Sequence, residues 1–290
     1  IQSFWTSIAM SSTGQYQIAC NTFKNGDTIG VTSGFIYISS NYGVSWSQKT
    51  FNISYSGGTI ASGAGAPYCS VSVSSTGQYM IALVNTYAYT ASNITDAYSA
   101  YTSNDYGNTW KPTYKQFPTC YASAISSTGQ YQVFIQNNFN QAGFLTNNYN
   151  GIYISYDYGA SFASYGNYNY LTSVAISSTG QYVTVTQSSG YINISNNFGV
   201  TWRQTATSQS WNCVAISSSG QFQYAGINGG VIYYSNNYGV SWNSTSSVSG
   251  NWKTISVSSD GKNIVACINN GAIYSSSNYG NTWIISNSNS

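Results

Sequence analysis

Few residues in this sequence are suited to acid–base or metal chemistry. There are five Asp, no Glu and no His, and charged residues make up 4% of the 290-residue chain. A Ser-His-Asp triad or a His-ligated metal site therefore cannot form. Asp105, Asp157 and Asp260 lie in recurring turn motifs, which leaves Asp27 and Asp96 in longer insertions. Because glycoside hydrolysis needs two carboxylates about 5–10 Å apart, we predict no catalytic residues, no metal, no cofactor and no enzyme activity.

The charge pattern also limits the partners. Seven Lys and Arg against five Asp give a net charge of +2, which is far from the basic surface that binds nucleic acid. No apolar run approaches the roughly 20 residues that span a bilayer. We therefore expect neither a nucleic-acid partner nor a membrane span. The start at Ile1, without Met or a signal peptide, indicates a processed or trimmed chain.

Five cysteines occur without C-x-x-C spacing, which argues against a zinc knuckle. Cys69 and Cys120 precede the glycines of a repeated turn by eight and nine residues, in consecutive units. An offset of one residue reverses the side on which a strand side chain emerges. A Cys69–Cys120 disulfide is therefore one interpretation, and buried free thiols are the alternative.

Four N-x-S/T sequons are candidate glycosylation sites. Asn52 and Asn93 lie in long loops, Asn243 closes a predicted fourth strand near the same face, and Asn193 falls inside a predicted third strand. We expect at least one sequon to be used, which implies a secretory route.

Two short motifs alternate along the whole chain. The first motif ends in Gly-Gln-aromatic in five of its six copies, and its glycines are spaced by 63, 52, 51, 40 and 41 residues. Its copies are SSTGQY at 11–16, 74–79, 126–131 and 177–182, SSSGQF at 217–222 and SSDGKN at 258–263. A period near 40 built from short alternating strands is typical of propeller blades.

The second motif is S-x-N/D-aromatic-G-x-S/T-aromatic. Its six copies occupy 39–46, 103–110, 155–162, 195–202, 235–242 and 276–283. It resembles the Asp-box, or bacterial neuraminidase repeat, S-x-D-x-G-x-T-W. This resemblance covers the chain and implies a hairpin between the third and fourth strands of each blade. The implied turn residues are Asn41, Asp105, Asp157, Asn197, Asn237 and Asn278.

These patterns predict an all-β, six-bladed β-propeller of four-stranded antiparallel blades in a single domain, 1–290. The predicted units are approximately 1–52, 53–113, 114–165, 166–205, 206–246 and 247–290. The Asp-box family includes sialidases, which use three arginines and a Tyr–Glu pair. This chain has only Arg203 and no Glu, so the resemblance does not extend to that activity.

Aromatic residues recur nine positions before the first-motif glycines, at Trp5, Tyr68, Trp211 and Trp252. They form a candidate sugar-stacking platform, and packing between blades is the alternative. All the extra chain length lies in connections after second and fourth strands, at 21–34, 51–67, 85–102 and 136–151. These long loops are the candidate recognition face.

Low charge offers little protection against association, since soluble domains average about 25% charged residues. The leading hypothesis is thus a secreted, non-catalytic structural propeller of a cell or particle surface, forming a layer, appendage or fibre. We expect it to be glycosylated and to form a homo-oligomer or filament. The alternative is a carbohydrate- or protein-binding propeller that uses the long-loop face. The chain is also loosely similar to repetitive propeller proteins of algae, environmental microbes and large DNA viruses. Photosystem-assembly propellers are a further resemblance, but the expected basic surface is missing.

Overall fold

A computed structural model describes residues 4–22, 35–49, 54–55, 58–59, 68–84, 98–115, 119–137, 150–166 and 168–286. Within these ranges all regular secondary structure is β-strand, as the alternating pattern predicts. The chain divides into two compact units, Ile1–Asn169 and Tyr170–Ser290. Among the described residues, no helix has the length and hydropathy needed to cross a membrane.

The first unit contains three antiparallel meanders of four strands and one short hairpin. Its strands are β1 (Phe4–Met10), β2 (Gln17–Thr22), β3 (Ile36–Ser39), β4 (Ser47–Lys49), β5 (Ser54–Tyr55), β6 (Gly58–Thr59), β7 (Tyr68–Val73), β8 (Met80–Val84), β9 (Tyr98–Ser103), β10 (Lys111–Lys115), β11 (Thr119–Ile125), β12 (Gln132–Asn137), β13 (Gly151–Ser155) and β14 (Ala163–Tyr165). Strands β1–β4 form meander 1, β7–β10 meander 2 and β11–β14 meander 3, while β5 pairs with β6.

The second unit contains three further meanders. Its strands are β15 (Leu171–Ile176), β16 (Val183–Gln187), β17 (Gly190–Ser195), β18 (Arg203–Gln209), β19 (Trp211–Ile216), β20 (Gln223–Gly230), β21 (Ile232–Ser235), β22 (Asn243–Ser244), β23 (Gly250–Val257), β24 (Ile264–Ile268), β25 (Ile273–Ser276) and β26 (Ile284–Ser286). Strands β15–β18 form meander 4. Meander 5 (β19–β22) and meander 6 (β23–β26) share one eight-stranded sheet, because β20 also pairs with β23.

The first strand of every meander contains a β-bulge at the same place, between seven and nine residues before its turn glycine. In β19, for example, the register with β20 shifts between Trp211 and Cys213. The same shift occurs in β1, β7, β11, β15 and β23. A bulge adds one residue to a strand and thereby changes the side on which earlier side chains emerge. As a result, Trp211 packs in the same cluster as Val214, three residues later.

The apolar cores lie between successive meanders. In unit 1, Ile18 and Ile36 of meander 1 pack with Val71 and Tyr101 of meander 2. In unit 2 the same arrangement places Ile232 of meander 5 against meander 6. Further cores lie between meanders 2 and 3 and between meanders 4 and 5. We call the face that contacts the preceding meander the leading face, and the face that contacts the following one the trailing face.

Candidate functional site

The first motif closes a tight turn through its first serine. The Ser11 N–H donates to the Tyr16 carbonyl (2.8 Å), and the Tyr16 N–H donates to Ser11 Oγ (3.1 Å). Gly14 takes a left-handed conformation with φ of 74°, which glycine adopts without steric cost. The same two hydrogen bonds recur at Ser74, Ser126, Ser177, Ser217 and Ser258. These repeated polar residues are therefore occupied by turn formation.

The second motif uses its serine and its Asn or Asp in the same way. Ser39 Oγ accepts from the Gly43 N–H (2.9 Å) and donates to Asn41 Oδ1 (2.9 Å). Asn41 Oδ1 also accepts from the Ser45 N–H, and its Nδ2 donates to Ser45 Oγ. The turns at Asn197, Asn237 and Asn278 have the same bonds. The aromatic residue before the glycine is left-handed in all six copies, at Tyr42, Tyr106, Tyr158, Phe198, Tyr238 and Tyr279.

In the two copies with Asp, the second carboxylate oxygen accepts a hydrogen bond from a hydroxyl, whereas in the copies with Asn the Nδ2 group donates one to it. Asp105 Oδ1 accepts from the Thr109 N–H (2.8 Å), and Oδ2 accepts from Thr109 Oγ1 (2.6 Å). Partial burial by itself acts to raise the pKa of Asp105, but hydrogen bonds from Thr109, Ser103 and Asn108 together lower it below its ordinary value. The pKa of Asp157 is lowered in the same way by Ser161 and Ser155. A general acid needs a raised pKa, so both carboxylates have the opposite character.

The two motifs also join successive meanders. Within a meander the Tyr42 N–H donates to the Gln15 carbonyl (3.1 Å). Between meanders the Ser12 N–H donates to the Ser75 carbonyl (3.0 Å), and the same bond links Ser75 to Ser127, Ser178 to Ser218 and Ser218 to Ser259. The aromatic ring of one first motif contacts the ring of the left-handed tyrosine in the following meander. The centroid distances are 4.6–4.9 Å for Tyr16–Tyr106, Tyr79–Tyr158, Tyr182–Tyr238 and Phe222–Tyr279. The motifs thus build the contacts between meanders.

The proposed aromatic platform is wrong for two of its four residues. Trp211 and Trp252 are completely buried, and their Nε1 atoms donate to the carbonyls of Thr207 and Gly230. The bulge in each first strand directs these rings into the core between meanders, so the packing interpretation is confirmed for them. Trp5 is 54% exposed, and the side chain of Tyr68 lies outside the described residues.

The four sequons fall in different environments. Asn243 is exposed on β22, the outer strand of meander 5. Asn193 is completely buried, and its Nδ2 donates to Gln187 Oε1 (2.8 Å). The fold cannot accommodate a glycan there, so that candidate site is wrong. Asn52 and Asn93 lie outside the described residues, and glycosylation stays a prediction.

The predicted Cys69–Cys120 disulfide can be compared with the same two positions in other meanders. The residue eight positions before the turn glycine contacts the backbone of the following meander: Thr172 Oγ1 donates to the Trp211 carbonyl (3.0 Å). Asn212 Nδ2 donates in the same way to the carbonyl of Trp252 (2.6 Å). Cys69 occupies this position in meander 2, and Cys120 corresponds to Trp211 in meander 3. Cys120 is buried, whereas the side chain of Cys69 lies outside the described residues, so the pairing stays a prediction.

The described residues contain no group of three or more His, Cys, Asp or Glu side chains that could bind a metal. Asp105, Asp157 and Asp260 lie in turns, where they hydrogen-bond to serine or threonine hydroxyls. Asp27 and Asp96 lie outside the described residues.

Two exposed apolar sheet faces are the features that the sequence motifs did not indicate. On the face of meander 1 that corresponds to the leading face of the later meanders, Ile8 is 63% exposed. On the face of meander 6 that corresponds to the trailing face of the earlier meanders, Val265 is 47% and Ile273 is 45% exposed. Only one sequence signal hints at them. The outer strand of meander 6 begins with Ile284, where other outer strands begin with Ser, Lys, Ala, Arg or Asn.

No family model matches this chain, and no curated protein matches it. Among solved structures, it is similar to YCF48 from Cyanidioschyzon merolae, with a TM-score of 0.64, 12% identity, and coverage of 98% of this chain and 85% of that one. A structure of YCF48 bound to a D1 peptide gives a TM-score of 0.62, 12% identity, and coverage of 98% and 82%. Hydrazine synthase of Kuenenia stuttgartiensis gives 0.63, 10% identity, and coverage of 98% and 84%.

These neighbours are propeller-type proteins with four-stranded antiparallel sheets. The chain has a propeller-type fold. Identities of 10–12% carry the comparison no further than the fold, because one fold hosts many unrelated functions.

Proposed function

We propose that this chain is a non-catalytic structural propeller that associates with itself in a layer, appendage or fibre at a cell or particle surface. In this proposal the six meanders are its blades, and the S-x-N/D turns are Asp-box turns. The observation that carries it is the use of the repeated residues. The serines, Asn, Asp and aromatics of both motifs form turns or contacts between meanders.

The surface chemistry supports the same function. With 4% charged residues, the chain has little of the like-charge repulsion that keeps soluble domains apart. Exposed apolar residues are grouped on sheet faces at both chain-terminal meanders, and contiguous apolar patches on soluble proteins mark interaction sites. Secretion and glycosylation belong to the proposal, with Asn243 as the described sequon that is open to solvent.

Expression in a secreting eukaryotic host tests the proposal. We expect multi-subunit assemblies by light scattering and electron microscopy, no hydrolysis of generic chromogenic glycosides, and a glycan at Asn243 but not at Asn193 by peptide mass. Glycan removal separates its contribution to solubility from the assembly contacts. An unglycosylated, monodisperse monomer at all concentrations contradicts the proposal.

A second candidate is recognition of a carbohydrate or protein by the long-loop face. The YCF48 structure with a D1 peptide supports it only as an example of a similar fold that binds a peptide. Replacing residues 86–97 by a short Gly-Ser linker tests this candidate and spares β9 (Tyr98–Ser103). Lost binding on a glycan or peptide array, with unchanged assembly, supports recognition by this loop.

A further inference from the structure

Asparagine followed by glycine is the dipeptide that is most prone to spontaneous deamidation. Because glycine has no side chain, its backbone nitrogen can reach the side-chain carbonyl carbon of the Asn and close a five-membered succinimide ring. This dipeptide occurs at Asn25, Asn150, Asn228 and Asn270, and Asn25 lies outside the described residues. The three described copies have the same local chemistry, so their surroundings decide how fast each one reacts.

Asn228 lies in a bulge where β20 joins meander 6. Strand β23 pairs with Asn228 and with Gly230, so Gly229 is the extra residue between them. Asn228 is exposed, and within the described ranges no hydrogen bond holds its side-chain amide. Apart from its chain neighbours, a Cβ placed on Gly229 would meet only Asn251 Oδ1, 3.9 Å away. The Asn side chain and the glycine that must attack it are therefore both in open space.

The copy at Asn270 is exposed as well, but its glycine is engaged. Asn270 lies in the hairpin between β24 and β25. The Gly271 N–H donates to the Ile268 carbonyl (3.0 Å) and closes the turn. The nitrogen that must attack is thus held by a hydrogen bond, and it reacts only after the turn has opened.

The copy at Asn150 is held at both residues. The side-chain amide of Asn150 donates to Asn169 Oδ1. Gly151 is buried and pairs with Gln136 at the start of β13. Since a buried amide of a strand pair becomes reactive only through local opening, we expect this copy to be the slowest of the three.

The position of Asn228 gives its modification a structural consequence. The Asn228 N–H donates to the Ser210 carbonyl (2.8 Å), and Trp252 Nε1 donates to the Gly230 carbonyl (3.0 Å). We call residues 228–230 the junction segment, because it joins meander 5 to meander 6 through these bonds and its pairing with β23. A longer main chain here would move the two bonds out of register.

We propose that Asn228 is a site of spontaneous deamidation that loosens the junction between meanders 5 and 6 as the protein ages. The Gly229 nitrogen loses its proton to solvent base and bonds to Asn228 Cγ, and the side-chain nitrogen leaves as ammonia. Water then opens the succinimide at either carbonyl and gives Asp or isoaspartate. Each event consumes a water molecule and releases an ammonia molecule, so neither an oxidant nor an enzyme is required. This chemistry does not depend on self-association.

The two products change the junction segment in different ways. Both add a negative charge to a chain whose net charge is +2. Asp leaves the main chain as it was, whereas isoaspartate lengthens it by a methylene group. We expect isoaspartate to weaken the bonds to Ser210 and from Trp252, because both depend on the present register with β23.

Ageing of the purified chain in dilute, mildly alkaline solution tests the rates. Incubation in water labelled with heavy oxygen marks the deamidation that occurs during ageing, and peptide mass spectrometry then measures it at each site. Asn228 should react at least about tenfold faster than Asn150, whose glycine needs local opening, and also faster than Asn270. In concentrated urea the three sites should react at similar rates, because the structure that distinguishes them is gone. Native rates that are equal at the three sites, or fastest at Asn150 or Asn270, overturn the assignment.

Substitutions test the effect on the junction. Aged wild type, with isoaspartate at Asn228, should unfold at a urea concentration about 0.5 M or more below that of fresh protein, which corresponds to the loss of one hydrogen bond. Asn228→Gln does not readily close the ring and should keep its midpoint on ageing, whereas Asn270→Gln, the matched control, should age like wild type.

Fresh Asn228→Asp carries the added charge without the longer main chain and should unfold close to fresh wild type. A midpoint of Asn228→Asp as low as that of aged wild type would show that charge, not main-chain length, loosens the junction, and would overturn that part of the proposal. Equal midpoints of fresh and aged wild type, with isoaspartate at Asn228 verified by mass spectrometry, would overturn the loosening itself.

Discussion

Tyr16 in meander 1 covers the α-carbon of Gly77 in meander 2 so closely that a methyl group on Gly77 would overlap the tyrosine ring. The same ring also contacts the ring of Tyr106, with centroids 4.6 Å apart. Three further pairs repeat this cover, Tyr79 over Gly129, Tyr182 over Gly220 and Phe222 over Gly261. The turn glycine therefore has two roles, a left-handed backbone and room for a neighbouring ring.

Comparing Gly77→Ala with Gly14→Ala separates these two roles. Both glycines are left-handed, with φ of 84° and 74°, and a Cβ on Gly14 meets nothing within 4 Å. Gly14→Ala should cost about 1–2 kcal/mol for the backbone alone. Gly77→Ala should cost a further 1–3 kcal/mol, roughly, for overpacking. Urea unfolding of the two variants gives both values, and equal costs would show that the ring moves away freely.

Trp252 and Trp5 occupy equivalent positions with opposite burial. Trp252→Ala should destabilise the chain by about 3–5 kcal/mol, because it empties a large buried site. Trp5→Ala should cost less than about 1 kcal/mol in the monomer. Both are measured in dilute solution, so that assembly does not contribute. A loss from Trp5→Ala as large as that from Trp252→Ala would contradict the difference in burial between the two rings.

The acid response of stability should depend on the turn carboxylates. Because the folded-state pKa values of Asp105 and Asp157 are lowered, their contribution is complete above the ordinary Asp pKa. It is lost as pH falls through the folded values. The double variant Asp105→Asn, Asp157→Asn should unfold within about 1 kcal/mol of wild type at pH 7.

Below about pH 4 the same double variant should lose less stability than wild type does. Asp260, whose pKa is lowered chiefly by a hydrogen bond from Ser258, keeps some pH dependence in both proteins. Chemical denaturation from pH 2 to 7 measures the two curves, and parallel curves would contradict a role for these carboxylates. The four Asn copies of the same turn are the internal precedent for the substitution.

Thiol reactivity should follow burial. Burial raises the pKa of Cys20 to about 11 and that of Cys213 to about 12, whereas Cys267 is only half-buried. In dilute native protein at pH 8, iodoacetamide should modify Cys267 before Cys20 and Cys213. Cys20 and Cys213 should react about 100-fold more slowly than in the unfolded chain, because the thiolate is the reactive form. Peptide mass spectrometry reads all three rates, and rapid native modification of Cys213 would be inconsistent with its burial.

The repeat, the strands and the turns follow from the sequence because their interactions are local. The described strands follow the predicted antiparallel pattern, and each first motif lies in the turn between the first and second strands of a meander. The serine, Asn and glycine of each turn bond to partners within five residues. Such contacts depend on few residues, so a motif is enough to indicate them.

Whether a given side chain is buried depends instead on which sheet packs against its own strand. Ile8 and Ile255 have the same type and the same place in the repeat, yet one is exposed and the other buried. Trp211 points into a core because a bulge reverses its side of the strand, and no composition or period encodes that reversal. Asn193 is unsuitable for glycosylation for the same reason, because it is completely buried and its side chain bonds to Gln187. The hydrogen bonds of the turns depend on residues that are close in sequence. The exposure of a side chain depends on surfaces that meet only after the strands have folded.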